Sequence, residues 1–75
     1  MPTESSEKQM RETQAAARNH REAAEFFEQS ASNHRLAAEA YDAGDLGSAE
    51  RLAEEAARLD REGMKRAEEA ERLRT

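Results

Sequence analysis

The 75-residue sequence contains no cysteine, tryptophan, valine or isoleucine, and it has only one proline and three glycines. The lack of cysteine excludes a disulfide framework and thiolate chemistry. Without Val or Ile, and with only five leucines, the chain has too few large apolar side chains for an ordinary globular core. The shortage of proline and glycine removes almost every helix breaker, so the chain is suited to long helices.

Alanine, glutamate and arginine dominate what is present, with 16, 14 and 10 copies. Together with a heptad spacing of small and large residues, this composition is typical of a long helix or coiled coil. The net charge is −5, and acidic and basic residues are interspersed. This balance disfavours non-specific binding to nucleic acid or to an anionic membrane.

One break interrupts the helical pattern, at Gly44 and Asp45. Glycine suits the left-handed position that ends a helix, and aspartate suits the N-cap of the next. We therefore predict one all-α domain, an antiparallel two-helix hairpin. Its predicted parts are a frayed N-terminus at 1–3, a helix over about 4–43, a turn at 44–46 and a helix over about 47–74.

The start of the first helix is left open by the sequence. Thr3, Ser5 and Ser6 are all acceptable N-caps, and Ser6 is followed three residues later by Gln9, as in a capping box. At the other end, the second helix finishes too early to pair with the start of the first. Residues 4–16 are thus predicted to overhang the hairpin.

Pairing residues whose numbers sum to 90 predicts how the helices pack, with large side chains opposite small ones. Phe27 then faces Gly63, whose missing side chain leaves room for the ring. The predicted contact rows are Ala17, Ala24, Ala31 and Ala38 with His20, Phe27, His34 and Tyr41 in the first helix, and Ala49, Ala56, Gly63 and Ala70 with Leu52, Leu59, Arg66 and Leu73 in the second. Two alanine-rich helices bury little apolar surface, so we predict a homodimeric four-helix bundle.

Two partial resemblances accompany this prediction. Residues 36–60 resemble a single tetratricopeptide repeat unit, with Leu36-Ala37, the Gly44-Asp45 turn, Ala49, Ala56 and Leu59-Asp60 at matching positions. Asn33, Ala40, Ala53 and Arg61 depart from that pattern, and one unit does not form a peptide-binding groove. The whole chain is similar, in architecture alone, to Rop-like hairpins that dimerise into four-helix bundles.

The two histidines, His20 and His34, lie about 21 Å apart along one helix and cannot share a metal within one chain. A metal site would need Glu55 or Glu69 from the second helix, or ligands from a partner subunit, whereas a packing role needs no further ligand. If both rings pack in the contact between the helices, their protonation should weaken the hairpin below about pH 6.

Two further rows allow a functional and a structural interpretation. Arg51, Arg58, Lys65 and Arg72 could track phosphates, but glutamates four residues away predict ordinary surface pairs. Asn19, Phe26 and Asn33 form a row in which an aromatic ring between two amides could stack a nucleobase. Phe26 could equally pack in a dimer interface.

The sequence thus predicts a non-catalytic, homo-oligomeric scaffold or protein–protein interaction module, with Phe26, Leu36 and Met64 or the overhang as its contact surface. The alternative is a small acidic RNA-binding regulator. No phosphate-binding loop, nucleophile elbow or zinc spacing is present, so neither an enzyme nor a cofactor is predicted. Because no signal-peptide pattern or membrane-spanning run is present, the expected location is the cytoplasm.

Overall fold

The computed structural model describes residues 4–73, with side chains from residue 6 onward. Helix α1 runs Glu4–Asp42 and helix α2 runs Leu46–Arg72, and the two pack side by side within an envelope of 64 × 14 × 12 Å. The predicted all-α hairpin is confirmed, whereas its dimerisation stays a prediction. The predicted frayed segment 1–3 and the end of the second helix at residue 74 lie outside the described residues.

The connection between the helices occupies residues 43–45, one residue earlier than predicted. Gly44 takes a positive φ of 75°, and its N–H donates to the Tyr41 carbonyl at 3.0 Å. The Asp45 N–H donates to the Ala40 carbonyl at 2.9 Å, which completes the hydrogen-bond pattern of a Schellman motif. The Asp45 carboxylate in turn accepts from the Ser48 N–H at 3.2 Å, so this single residue closes α1 and caps α2.

The start of α1 removes two of the three possible N-caps. The helix already begins at Glu4, so Ser5 and Ser6 lie within it. The interpretation of Ser6 as the first residue of a capping box is therefore wrong. Thr3 lies outside the described residues.

Helix α2 buries the face that the sequence predicts. Its buried residues lie on the expected rows, and they are Ala49, Ala56, Leu59, Gly63 and Ala70. The predicted pairing of Phe27 with Gly63 is confirmed, because a Cβ atom at position 63 would lie 2.8 Å from Cε1 of the ring. Arg66 is an exception, since it is exposed rather than part of the core.

Helix α1 is rotated by one residue from the prediction. Its buried positions are Ala23, Ser30 and Ala37, whereas Ala24 and Ala38, predicted to face α2, are exposed. The physical reason is that alanines occur in adjacent pairs, as in Ala23-Ala24. Either member of a pair offers the same small surface, and neighbouring helix positions differ by about 100°.

The arms of the hairpin are unequal, as predicted. With Phe27 level with Gly63, the C-cap of α2, Leu73, is level with about residue 17 of α1. The first 13 residues of α1 therefore project beyond α2 by roughly 20 Å at 1.5 Å per residue. An open groove of about 460 Å³ lies at this step, lined by Gln9, Glu12, Thr13, Ala16, His20, Ala70, Glu71 and Leu73.

Candidate interaction surface

Contacts between the helices distinguish the two broad sides of the hairpin. On one side, Nε2 of His34 lies 3.3 Å from an Asp60 carboxylate oxygen. On the other, a guanidinium nitrogen of Arg66 lies 3.1 Å from the Glu22 carboxylate. Residues seven apart lie on nearly the same face of a helix, so these contacts assign the flanking rows to a side. We call the His34 side the apolar side and the Glu22 side the charged side.

The apolar side consists of two rows from each helix. Those of α1 are Met10, Ala17, Ala24, Ala31 and Ala38, and Thr13, His20, Phe27, His34 and Tyr41, none of which is an Asp, Glu, Lys or Arg. Those of α2 are Leu46, Ala53, Asp60 and Ala67, and Glu50, Ala57, Met64 and Glu71. This side carries five of the six large hydrophobic residues that are exposed among the described residues, namely Met10, Phe27, Tyr41, Leu46 and Met64.

The charged side holds most of the ion pairs. Within α2, Arg58, Lys65 and Arg72 each contact the glutamate three residues earlier, at Nε–O or N–O distances of 3.0 to 3.2 Å. The sequence predicted that these basic residues would pair with glutamates four residues away. They do pair with glutamates, as expected, but with those three residues away. The glutamates three residues earlier lie on the row next to the seam, by which we mean the line of contact between α1 and α2. Their carboxylates therefore lie alongside the basic row.

A polar cluster lies in the middle of the seam between the helices. The Ser30 hydroxyl, only 2% exposed, donates to the carbonyl of Ala56 at 3.1 Å. It also lies close enough to Asp60 to lower the pKa of that carboxyl, and the His34 ring lowers it further. Among the described residues, no buried side-chain nitrogen or oxygen lacks a hydrogen-bond partner.

This cluster contains the residue types of a catalytic triad but not its geometry. In a triad the histidine stands between the serine and the carboxylate and takes the serine proton. Here His34 contacts Asp60, whereas the serine hydroxyl donates to a backbone carbonyl and not to the histidine. Because Ser30 is almost wholly buried, a substrate has no access to its hydroxyl. The cluster can therefore align the two helices, but it is not arranged for nucleophilic catalysis.

The histidines differ from their predicted setting. His20 and His34 are both exposed, on the apolar side, rather than packed in the seam. His34 contacts Asp60, while Glu55 and Glu69, which a metal site would have needed, pair with Arg58 and Arg72. The predicted weakening of the hairpin below about pH 6 required both rings to pack between the helices, and neither ring meets that condition. No group of three or more His, Cys, Asp or Glu in the described part of the chain is placed to hold a metal ion.

The five residues predicted to mediate interactions do not form one surface. Asn19, Phe26 and Asn33 are half-buried on the row beside the buried Ala23 and Ser30 positions, while Leu36 and Met64 are exposed. Leu36 lies on the charged side and Met64 on the apolar side. One flat partner cannot contact both, and the interaction role of all five residues stays a prediction.

Ser30 and Asp60 were missed by the sequence reasoning. Both were passed over because the predicted α1 face put Ala31 in the seam in place of Ser30. A usable signal was present: Ser30 is the one polar residue in the row Ala16, Ala23, Ser30 and Ala37, and a lone polar residue in an apolar row often carries a specific hydrogen bond.

Comparisons with known proteins add no identification. No protein-family model, curated protein or solved structure matches the chain. Neither of the helices, over the residues described, combines the length and the apolar character that crossing a bilayer requires.

Proposed function

We propose that this protein is a non-catalytic, cytoplasmic helical hairpin that acts as a homo-oligomeric scaffold or protein–protein interaction module, with the apolar side as its contact surface. The observation that carries the proposal is the concentration of exposed large apolar residues on that side. Contiguous exposed apolar surface rimmed by polar residues marks interaction sites in soluble proteins.

The small core of the hairpin supports the same conclusion. Apart from Leu59, the buried residues are alanine, glycine and serine. Mini-domains of this length need an additional source of stability, and oligomerisation is one of the few that a cysteine-free chain can use. The size also fits, because either broad side of a 64 × 14 × 12 Å body is comparable to the roughly 800 Å² per partner buried in a standard interface.

The RNA-binding alternative has weaker support. The row of Asn19, Phe26 and Asn33 is half-buried, so its aromatic ring is not presented as a stacking platform. In the basic row of α2, which consists of Arg51, Arg58, Lys65 and Arg72, three of the four residues are paired with glutamate. A phosphate would have to compete with those carboxylates.

Size-exclusion chromatography with light scattering tests the proposal, with two matched variants. Met64→Gln and Leu36→Gln each remove one exposed apolar side chain, 55% and 44% accessible, from opposite sides of the hairpin. We expect wild type to form a dimer, and Met64→Gln to raise its dissociation constant at least about tenfold, because each interface loses a buried apolar side chain from both copies.

Leu36→Gln is the control and is expected to leave the dissociation constant within about threefold of wild type. A wild-type monomer at high micromolar concentration would refute the scaffold proposal in its homo-oligomeric form. Weakening by Leu36→Gln with no effect of Met64→Gln would show that the charged side is the contact surface.

A further inference from the structure

We infer that the apolar side binds a second copy of this chain in an antiparallel orientation, with the two-fold axis beside Phe27 and Met64. This inference rests on the proposed function, and it adds the identity of the partner and the arrangement of the complex. In that arrangement the turn of each copy lies against the overhanging end of the other.

The spacing of the bulky residues along the hairpin is the first observation. Phe27 and Met64 are 18 and 19 residues from Asp45, so both lie about 28 Å from the turn. Tyr41 and Leu46 lie within about 6 Å of the turn, and Met10 lies about 52 Å from it. Phe27 and Met64 are therefore close to midway between the bulky residues at the two ends.

This spacing is self-complementary about the midpoint. A two-fold axis at Phe27 and Met64 brings Met10 of one copy level with Tyr41 and Leu46 of the second, at both ends of the interface. A closed two-fold interface must match one surface patch to itself in this way. In a parallel pair, the only bulky residue of the second copy level with Met10 would be that copy's own Met10.

The unequal arms are the second observation. Among the described residues, α1 extends about 20 Å past the end of α2, and an open groove of about 460 Å³ lies at this step. In the antiparallel arrangement the second copy's turn and the adjoining part of its α2 lie beside this stretch.

The charges on the apolar side are the third observation. Its three acidic residues are Glu50, Asp60 and Glu71. In the antiparallel pair, Glu71 is level with His34 of the second copy, and Glu50 is level with its Thr13. Neither glutamate is therefore level with an acidic residue of the second copy's apolar side, so the charges of this side are compatible with the antiparallel arrangement.

Spin-label distance measurements test the orientation directly, because the chain has no cysteine of its own. Single-cysteine variants Gln14→Cys, Glu28→Cys and Asp42→Cys place the label on one exposed row of α1 that faces away from α2 and outside the apolar side. The antiparallel dimer predicts separations along the axis of roughly 38, 5 and 47 Å for the three labels. A parallel dimer predicts one short distance, set by the width of the bundle, at all three sites.

The outcomes separate this inference from the proposal on which it depends. Long distances at 14 and 42 with a short one at 28 establish the antiparallel dimer. Three short distances in a sample that light scattering shows to be dimeric overturn the inference but leave the scaffold intact. A dimer that gives long distances at all three sites places the axis elsewhere and also overturns it. Absence of any distance between copies in a monomeric sample refutes the homo-oligomeric scaffold itself.

Discussion

The close approach of the two helices depends on a few small residues in the middle of the seam. Gly63 leaves room for the ring of Phe27, and Ser30 bonds to the backbone of α2 at Ala56. Such contacts require short side chains, because each brings a ring or a hydroxyl close to the opposite helix. Substitutions at Gly63 and Ser30 should therefore lower the stability of the hairpin more than the same substitutions at exposed positions of either helix.

The two glycines within α2 allow a matched comparison. In Gly63→Ala, the new Cβ would lie 2.8 to 3.0 Å from three atoms of the Phe27 ring, which must move outward. In Gly47→Ala, its nearest neighbour is a side-chain nitrogen of Arg51 at 3.6 Å, an ordinary contact. Alanine favours the helix over glycine by up to about 1 kcal/mol, so Gly47→Ala should be neutral or stabilising.

We expect Gly63→Ala to be less stable than Gly47→Ala by at least about 1 kcal/mol in urea unfolding followed by circular dichroism. In a Phe27→Ala background, where the ring is absent, Gly63→Ala should be neutral or stabilising relative to Phe27→Ala alone, because alanine then contributes its higher helix propensity. Equal stability of the two single variants would mean that Phe27 does not pack on Gly63.

Ser30 and His34 both act on the Asp60 carboxyl, and their contributions can be separated. The pKa of Asp60 is lowered mainly by the Ser30 hydroxyl and then by His34. Ser30→Ala should therefore raise the pKa of Asp60 more than His34→Gln does, as measured by carboxyl-carbon titration in NMR. A larger effect of His34→Gln would show that the Asp60 carboxylate pairs principally with the imidazole.

The lowered pKa of Asp60 also determines how the stability of the hairpin should depend on pH. A carboxyl whose pKa is lowered by folding stabilises the protein above its ordinary value, near 4, and this stabilisation is lost as the pH falls through the folded value. The difference in melting temperature between wild type and Ser30→Ala should thus be larger at pH 6 than at pH 2.5. It should not vanish, because in the wild-type protein the hydroxyl can still donate its one proton to the Ala56 carbonyl when Asp60 is protonated. A difference that grows on acidification would contradict this sign.

At the scale of the helices, the turn couples the two elements through Gly44 and Asp45. Gly44 ends α1 in a left-handed conformation with open space around it, so a substitution there changes backbone strain rather than packing. Asp45 links the two ends, and its pKa is lowered chiefly by the hydrogen bond from Ser48. The loop is three residues long, which leaves little freedom to rearrange.

Substitutions at Gly44 should follow the cost of the left-handed conformation. Gly44→Ala is expected to destabilise the hairpin by about 1 kcal/mol, and Gly44→Asn by less, because asparagine tolerates positive φ better than alanine. Thermal unfolding monitored by circular dichroism measures both. Indistinguishable melting temperatures for the two variants would mean that residue 44 does not hold a positive φ in solution.

The two helices, the turn and the face of α2 that packs on α1 could be predicted from the sequence, because each depends on a distinct local signal. Gly44-Asp45 is the single break, and α2 has an asymmetric pattern in which Leu59 and Gly63 mark one face. The α1 face could not be fixed in the same way, since pairs such as Ala23-Ala24 satisfy two rotations equally. The packing of Ser30 on Ala56 selects between those rotations, and that contact joins residues 26 positions apart.

For the whole molecule, the one-residue rotation of α1 changes which surface is available for binding. The rows that the sequence assigned to the seam, such as Ala24 and Ala38, lie on the apolar side instead. Adjacent apolar rows are what a helix needs in a four-helix bundle, where it contacts two neighbours. One alanine of each pair serves the α2 contact, and the other serves the proposed contact with a second copy.

Salt dependence distinguishes this apolar association from electrostatic binding. The ion pairs of the charged side have side chains that are 27 to 73% exposed, and such pairs contribute little to stability. The dissociation constant of the dimer should therefore stay within about threefold between 0.1 and 1 M NaCl, when measured by sedimentation equilibrium. RNA binding would weaken steeply over the same range, because it releases condensed counterions. Dissociation of the dimer at 1 M NaCl would show that charged residues, rather than Phe27, Met64 and the alanine rows, hold the copies together.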